Sequence, residues 1–162
     1  MSTQHIADIL KKMIMLHSSL NALAEKKTGM IKEGKTDALT ALLMNEQKHI
    51  KAISQTETER ESAVKAFLRD KGIHRTAFVL DDVIDAAEQE EAALLTGLKT
   101  ELLGEMMKLK EQNDLNQQLI YQSLQFVNLN LDLLQPQRQT DTYDHKMQSS
   151  KGNGRSMFDS KA

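Results

Sequence analysis

The sequence predicts an all-α protein, and three observations point to that class. Apolar residues recur at spacings of three and four through three long segments, which is the period of an amphipathic helix. The chain has 162 residues, only 4% aromatic residues and a single proline, and this composition favours helices over sheets. Glycines and the one proline separate the periodic segments, as expected where helices end. We therefore expect a long antiparallel helical hairpin, a short helix and a very long last helix in an elongated bundle or coiled-coil-like arrangement, followed by a disordered C-terminal tail.

The first long segment has a nearly continuous apolar seam of the kind seen in coiled coils. Thr3 is the expected N-cap, and Gly34 suits the positive φ of a residue just past a helix end. The seam alternates steps of three and four, and Lys27 is the one residue in it that is not apolar. Its positions are Ile6, Ile9, Met13, Leu16, Leu20, Leu23, Lys27 and Met30.

The second long segment predicts the other arm of the hairpin, joined to the first by a tight turn from Gly34 to Asp37. Thr36 or Asp37 is the expected N-cap, and Gly72 is the expected stop. The middle of this segment is more polar than its ends, since four polar residues fall on or near the seam: Glu46, His49, Thr56 and Arg60. Glu57 and Arg60 have the spacing of a helical ion pair.

A short helix containing Phe78, Val79, Val83 and Ile84 is expected next, with Thr76 as its cap. Acidic residues cluster around it, and we interpret them as a solvated face near a helix N-terminus, where negative charge is favourable. The cluster comprises Asp81, Asp82, Asp85, Glu88, Glu90 and Glu91.

The last helix is predicted to begin between Asp85 and Glu91 and to continue to Leu134. About 45 residues at a rise of about 1.5 Å each correspond to about 70 Å. Gly97 and Gly104 weaken it by about 1 kcal/mol each relative to alanine. Asn113 and Asn116 interrupt its apolar seam, and buried asparagines in long helices can fix the register of packing.

The stretch from Asn113 to Leu134 has more apolar surface than one face of a helix can hold. One stripe is formed by Ile120, Leu124, Val127, Leu131 and Leu134. Other apolar residues fall largely outside it: Leu115, Leu119, Phe126, Leu129 and Leu133. A surface helix needs only one apolar face of roughly 100°. We interpret one face as part of the protein's own core and the other as a surface for a partner. The alternatives are a helix buried all round and a homodimer seam.

Gln135-Pro136 is expected to end the last helix, because the residue before proline avoids the α conformation and proline cannot donate a backbone hydrogen bond. The polar composition of residues 135–162 predicts disorder. The expected division is therefore a helical domain at 1–134 and a flexible tail at 135–162.

Composition and motifs argue against several functions. The formal charge of −2 provides no basic surface for nucleic acid, and no apolar run approaches the roughly 20 residues of a membrane span. Cysteine is absent, and the N-terminus lacks a signal-peptide pattern, so a cytoplasmic location is expected. Glu46 and His49 form a single E-x-x-H unit, whereas di-iron bundles need two. We expect neither enzymatic activity nor a metal or other cofactor.

The last helix and the tail carry a resemblance to a known family. The last helix contains the pattern N-x-x-N-x-x-L-I-x-x-S-L-x-F-V. Its defined positions are Asn113, Asn116, Leu119, Ile120, Ser123, Leu124, Phe126 and Val127. Thr142-Tyr143-Asp144 and the ending from Ser156 to Ala162 follow in the tail. In these motifs, and in its layout over nearly the whole chain, the sequence resembles the FlgN-type flagellar export chaperones.

The resemblance implies a cytoplasmic chaperone that binds the C-terminal segments of the hook–filament junction proteins FlgK and FlgL. It also implies delivery to the export gate through the cytoplasmic domain of FlhA. The residues that match the cargo-binding part of the family are Leu119, Ile120, Leu124, Phe126, Val127 and Leu131. Tyr143 matches the tyrosine associated with docking on the gate. The alternative is a structural or adaptor protein that self-associates as a coiled coil. The sequence leaves the oligomeric state open.

Overall fold

The regular structure of residues 2–134, which a computed structural model describes, consists of four helices. They are α1 (Thr3–Glu33), α2 (Thr36–Asp70), α3 (Leu80–Ala86) and α4 (Gln89–Leu134). The all-α prediction is therefore confirmed, with two long helices, a short one and a very long last one. α4 extends to Leu134, the last described residue. The predicted tail, including Gln135-Pro136, lies outside the described residues.

The ends of α1 and α2 follow the predicted glycines. Gly34 has φ 67°, and its N–H donates to the Ile31 carbonyl at 3.3 Å. Gly72 follows α2 with φ 72°. Residues with a Cβ rarely adopt this left-handed conformation, so each glycine allows the chain to leave its helix without strain.

The predicted N-caps are wrong at all three places. Ser2 rather than Thr3 caps α1, and its Oγ accepts the His5 N–H at 3.3 Å. Lys35 occupies the N-cap position of α2 and makes no side-chain cap bond, since Thr36 and Asp37 already belong to the first turn. In α3 the cap residue is Val79, whose N–H is met by the Asp82 carboxylate at 3.5 Å rather than by Thr76.

Asp82 also departs from the interpretation of the acidic cluster as a solvated face. Its side chain is buried and accepts a hydrogen bond from Arg75 Nη1 at 2.5 Å. Asp81, by contrast, lies on the exposed surface with the rest of the cluster. The difference lies in their contacts: the Asp82 carboxylate accepts from the Val79 N–H at the start of α3 and pairs with Arg75.

The chain divides between residues 120 and 121 into a first unit, residues 1–120, and a second unit that begins at Tyr121. The hydrophobic core of the first unit lies where the beginning of α1, the end of α2, α3 and the beginning of α4 meet. Its fully buried aliphatic side chains include Ile6, Leu10, Val64, Leu68, Val83 and Leu95. Four helices therefore share one core at this end of the hairpin.

Polar contacts between α1 and α2 show that the hairpin is antiparallel, as predicted. Lys12 Nζ lies 3.2 Å from Glu59 Oε2, whereas Lys27 Nζ lies 3.1 Å from Glu46 Oε2. The partner number falls as the α1 number rises, which is possible only when the two helices run in opposite directions. Lys27, the one residue of the α1 seam that is not apolar, thus forms an ion pair with Glu46, a polar residue on the seam of α2.

Hydrogen bonds between α1 and α4 show that these two helices run in the same direction. Asn21 Nδ2 donates to the Glu105 carbonyl at 3.0 Å, and Asn116 Nδ2 donates to the Ala24 carbonyl at 2.9 Å. Thr28 Oγ1 lies 2.6 Å from Asn116 Oδ1. Asn116 is therefore a buried polar contact between helices, as the sequence pattern allowed, whereas Asn113 is exposed.

Candidate functional site

The main exposed apolar surface lies at the end of α4. Every residue from Tyr121 to Leu134 is exposed. The large apolar side chains among them have exposed fractions between 51% at Leu131 and 79% at Leu134. Exposed apolar side chains are ordinary when they are scattered, but a concentration of them marks an interaction surface. Eight lie within this stretch: Tyr121, Leu124, Phe126, Val127, Leu129, Leu131, Leu133 and Leu134.

The prediction that one face of Asn113–Leu134 belongs to the protein's own core holds at Asn116, which is buried against α1. It is wrong from Tyr121 to Leu134, where every residue is exposed. Leu124 and Leu131 were assigned to a single stripe, and both are more than half exposed. The alternative of a helix buried all round is also wrong for residues 121–134.

The apolar residues of this stretch fall into two stripes when they are placed on an α-helix at about 100° per residue. One set, here named the Leu124 stripe, comprises Leu124, Val127, Leu131 and Leu134. The other set, here named the Phe126 stripe, comprises Phe126, Leu129 and Leu133. The centres of the two stripes lie roughly 150° apart around the helix axis. They are therefore separate surfaces.

The sequence-predicted site residues divide between these surfaces and the first unit. Leu124, Val127 and Leu131 belong to the Leu124 stripe, and Phe126 belongs to the other stripe. Leu119 and Ile120 lie in the first unit, where Leu119 is half-buried and Ile120 is 38% exposed. Tyr143, the predicted gate-docking residue, lies outside the described residues. The linear pattern identified the stretch but grouped residues that point in different directions.

Uncharged amides surround the two stripes. The apolar residues alternate along the sequence with four amides, Gln122, Gln125, Asn128 and Asn130. Asp132 is the only residue between 121 and 134 that is charged at neutral pH. Gln125 Nε2 donates to Tyr121 Oη at 3.0 Å. Such a surface offers apolar contact and very little charge.

A second apolar feature, which the sequence did not predict, is an open cleft of about 360 Å³ in the first unit. Leu103 and Met106 are part of its wall and are nearly half exposed. Arg60 and Glu57 form an ion pair at its edge at 2.6 Å, as their spacing predicted. The hydrogen bond that Arg60 donates to the Glu57 carboxylate raises the pKa of Arg60 above its ordinary value. Both charges are thus engaged with each other.

Glu46 and His49, the single E-x-x-H unit, each contact another side chain of the hairpin. Glu46 is paired with Lys27, and His49 Nε2 lies 2.7 Å from Ser19 Oγ. Within residues 2–134 there is no group of three or more His, Cys, Asp or Glu side chains placed to hold a metal ion. None of the helices in this same range is sufficiently long and apolar to cross a membrane.

The fold and the exposed surface together describe an all-α protein with an exposed apolar helix end, a feature typical of proteins that bind others through helix packing. Comparison with known sequences then identifies the family. The family model described as FlgN protein matches residues 1–151. The chain is also 35% identical to the Bacillus subtilis (strain 168) protein named "Uncharacterized protein YvyG", over an alignment that covers all of both chains. No solved structure matches.

The chain belongs to the FlgN family. FlgN is a family of chaperones rather than of enzymes, and membership suggests a flagellar export chaperone. The family that the last-helix and tail motifs indicated is therefore confirmed.

Proposed function

We propose that this protein is a cytoplasmic export chaperone that binds the C-terminal segments of FlgK and FlgL and delivers them to the cytoplasmic domain of FlhA. Family membership supports the chaperone class. The observation that supports cargo binding at a particular place is the exposed apolar surface of α4 from Tyr121 to Leu134. The proposed cargo-binding residues are Leu119, Ile120, Leu124, Phe126, Val127 and Leu131, and the proposed gate-docking residue is Tyr143.

The chemistry of the surface fits a partly folded cargo end. An amphipathic segment that becomes helical can lay its apolar side chains against α4, as in other helix-packing complexes. Burial of apolar surface contributes about 25 cal/mol per Å². The cost of ordering the cargo offsets part of this gain and lowers the net affinity. A carrier that must later release its cargo tolerates such an affinity.

The test is isothermal titration of the full chain with the C-terminal segment of FlgK, using the Phe126→Asp and Val127→Asp variants. A carboxylate placed in an apolar contact loses its hydration without gaining a partner. We therefore expect each variant to bind about tenfold more weakly or worse. Asn128→Asp is the matched control, since it adds the same charge to the same stretch at an exposed position outside both stripes, and it should bind as the wild type does.

Circular dichroism melts of all three variants separate loss of binding from loss of folding. If a folded Phe126→Asp/Val127→Asp double variant still binds cargo with wild-type affinity, the end of α4 is not the cargo-binding surface. If the wild-type protein does not bind and sediments as an obligate dimer with the end of α4 buried, the self-associating coiled coil becomes the better account of the exposed surface.

A further inference from the structure

The apolar cleft of the first unit has a buried histidine in its wall, and this histidine makes a single hydrogen bond. We propose that the cleft binds one aromatic side chain of a partner protein, a tyrosine or a tryptophan, whose O–H or N–H donates to His17. No residue from Tyr121 to Leu134 lines the cleft. The inference therefore goes beyond the proposed function and does not depend on it.

The wall of the cleft is mostly apolar and comes from all four helices. It includes Met13 of α1, Ile53 of α2, Leu80 of α3 and both Leu103 and Met106 of α4. Leu103 is 48% exposed and Met106 is 45% exposed, so the cleft opens at the surface. Its volume of about 360 Å³ lies at the small end of the range for ligand pockets, roughly 300–1,000 Å³. This size suits a single large side chain better than a large cofactor.

His17 distinguishes this cleft from an ordinary gap between helices. The residue is 7% exposed, and its Nδ1 lies 2.9 Å from the Met13 carbonyl oxygen. Because a carbonyl oxygen can only accept, Nδ1 carries the hydrogen, and Nε2 of the neutral ring is an acceptor. Nε2 has no hydrogen-bond partner among residues 2–134. A buried acceptor without a partner is unfavourable, and a donor on a bound group would supply one.

The position of Nε2 makes it available to such a group. Within residues 2–134, Asn21 Oδ1 is the only fully buried side-chain nitrogen or oxygen without a partner, so Nε2 of His17 reaches the accessible surface. His17 and Met106 also line a more polar depression that adjoins the cleft. The acceptor thus lies where apolar and polar surroundings meet. An aromatic ring with one polar end requires this arrangement, because its ring is apolar and its O–H or N–H needs a partner.

The charged side chains of the cleft favour a neutral ligand, since each already has a partner. Arg60 donates to both carboxylate oxygens of Glu57, from Nε at 2.8 Å and from Nη2 at 2.6 Å. Lys99 Nζ lies 2.5 Å from Asp81 Oδ1. A charged ligand would have to displace one of these pairs, whereas a neutral donor would not. Tyrosine and tryptophan combine a large apolar ring with one neutral donor, and both are enriched among the anchoring residues of protein interfaces.

The experiment titrates the isotope-labelled full chain with N-acetyl-tyrosinamide and with N-acetyl-phenylalaninamide, which differ by one hydroxyl, and follows the chemical shifts by NMR. We expect the tyrosine amide to bind about fivefold more tightly, since its hydroxyl is the donor that Nε2 lacks. The largest shifts should occur at Leu103 and Met106. Absence of binding, equal affinities or shifts centred elsewhere would each overturn the inference. If p-cresol binds and the tyrosine amide does not, the ligand is a free phenol and the protein partner is wrong.

Two variants test the role of the named residues. His17→Phe retains a ring but has no acceptor, so the ratio of the two affinities should fall to about one. Leu103→Asp places a carboxylate in the apolar wall and should weaken binding of both amides about tenfold. Met107→Asp is the matched control, since Met107 is 65% exposed on the same helix and does not line the cleft.

Circular dichroism melts show which of these variants are folded. An unchanged affinity ratio in folded His17→Phe would overturn the role of the histidine. If His17→Phe does not fold, the comparison of Leu103→Asp with Met107→Asp decides, and equal affinities of these two variants would overturn the site. None of these measurements uses FlgK, so the inference and the proposed function fail separately.

Discussion

Lys27 interrupts an otherwise apolar series on α1, and its partner explains why a charge is tolerated there. Glu46 Oε2 lies 3.1 Å from Lys27 Nζ, and the two side chains are only 17% and 11% exposed. The two charges satisfy each other in a poorly solvated position, and they do so only when α1 and α2 are paired in the observed register. A buried ion pair of this kind adds little net stability, but the loss of one partner is costly.

Lys27→Met should therefore destabilise the protein by about 2–3 kcal/mol, since it leaves Glu46 buried without a cation. The double variant Lys27→Met/Glu46→Leu should return to within about 1 kcal/mol of the wild type, because it removes both charges. Urea denaturation followed by circular dichroism measures all three proteins. A double variant as unstable as the single one would show that the contact is a packing contact rather than an ion pair.

Asn116 is the second buried polar residue that fixes a helix pair. Its amide donates to the Ala24 carbonyl at 2.9 Å, and its carbonyl oxygen lies 2.6 Å from the Thr28 hydroxyl. The side chain is 2% exposed, so water cannot replace these partners. The amide thus holds α4 against α1 at one register.

Asn116→Ala should lower the free energy of unfolding by about 1–3 kcal/mol, because it removes two hydrogen bonds and leaves buried polar groups without partners. Asn113→Ala is the matched control: the same substitution at an exposed position should change stability by no more than about 0.5 kcal/mol. Thermal denaturation compares the two. Equal effects would mean that helix propensity rather than the buried contact determines the result.

At the scale of the element, α4 contains two glycines that neither a turn nor a close approach requires. A Cβ built at Gly97 or Gly104 meets nothing within 4 Å, and both residues lie inside the helix. Gly34 also has open space around it, but its φ of 67° lies in the left-handed region. Open space and helical backbone together decide which glycines can be replaced.

Gly97→Ala and Gly104→Ala should each stabilise the protein by about 0.5–1 kcal/mol, since alanine restricts the unfolded chain and fits the helix. Gly34→Ala should have the opposite effect, a loss of about 1–2 kcal/mol, because a Cβ is strained at positive φ. Differential scanning calorimetry of the three variants gives the sign directly. Stabilisation by Gly34→Ala would show that the turn relaxes to another conformation.

The end of α4 shows how far a linear pattern predicts a binding surface. The stretch and its apolar character could be read from spacing alone. The exposure of its apolar residues could not, because burial depends on contacts between helices that spacing along the chain does not record. Phe126 and Val127 are adjacent in sequence, yet they belong to different stripes because successive residues of a helix lie about 100° apart.

At the scale of the whole molecule, the proposed function separates cargo binding from gate docking. The proposed cargo surface lies on α4, whereas Tyr143 lies in the sequence that follows it and matches a family tyrosine by resemblance. The two activities should therefore be separable by mutation. A self-associating protein would differ from an export chaperone in this respect, since self-association would use the proposed cargo surface itself.

Tyr143→Ala should leave FlgK affinity unchanged and weaken binding to the cytoplasmic domain of FlhA about tenfold, because an aromatic anchor is removed from one contact only. Pull-down and titration with each partner measure the two affinities. Tyr143→Phe is the control that retains the ring. Loss of FlgK binding by Tyr143→Ala would place this residue in the cargo site instead.

The sequence by itself determined the helical class, the long elements, the glycine stops and the family, because these follow from local spacing and composition. Which residue caps each helix depended on where the backbone enters the helix, and sequence predicted those positions wrongly by one to three residues. Only the tertiary structure decided that Lys27 and Glu46 are partners, that Asn116 rather than Asn113 is buried, and that both stripes of α4 are exposed. Those outcomes depend on contacts between helices that are far apart in the chain, and a local pattern does not record them.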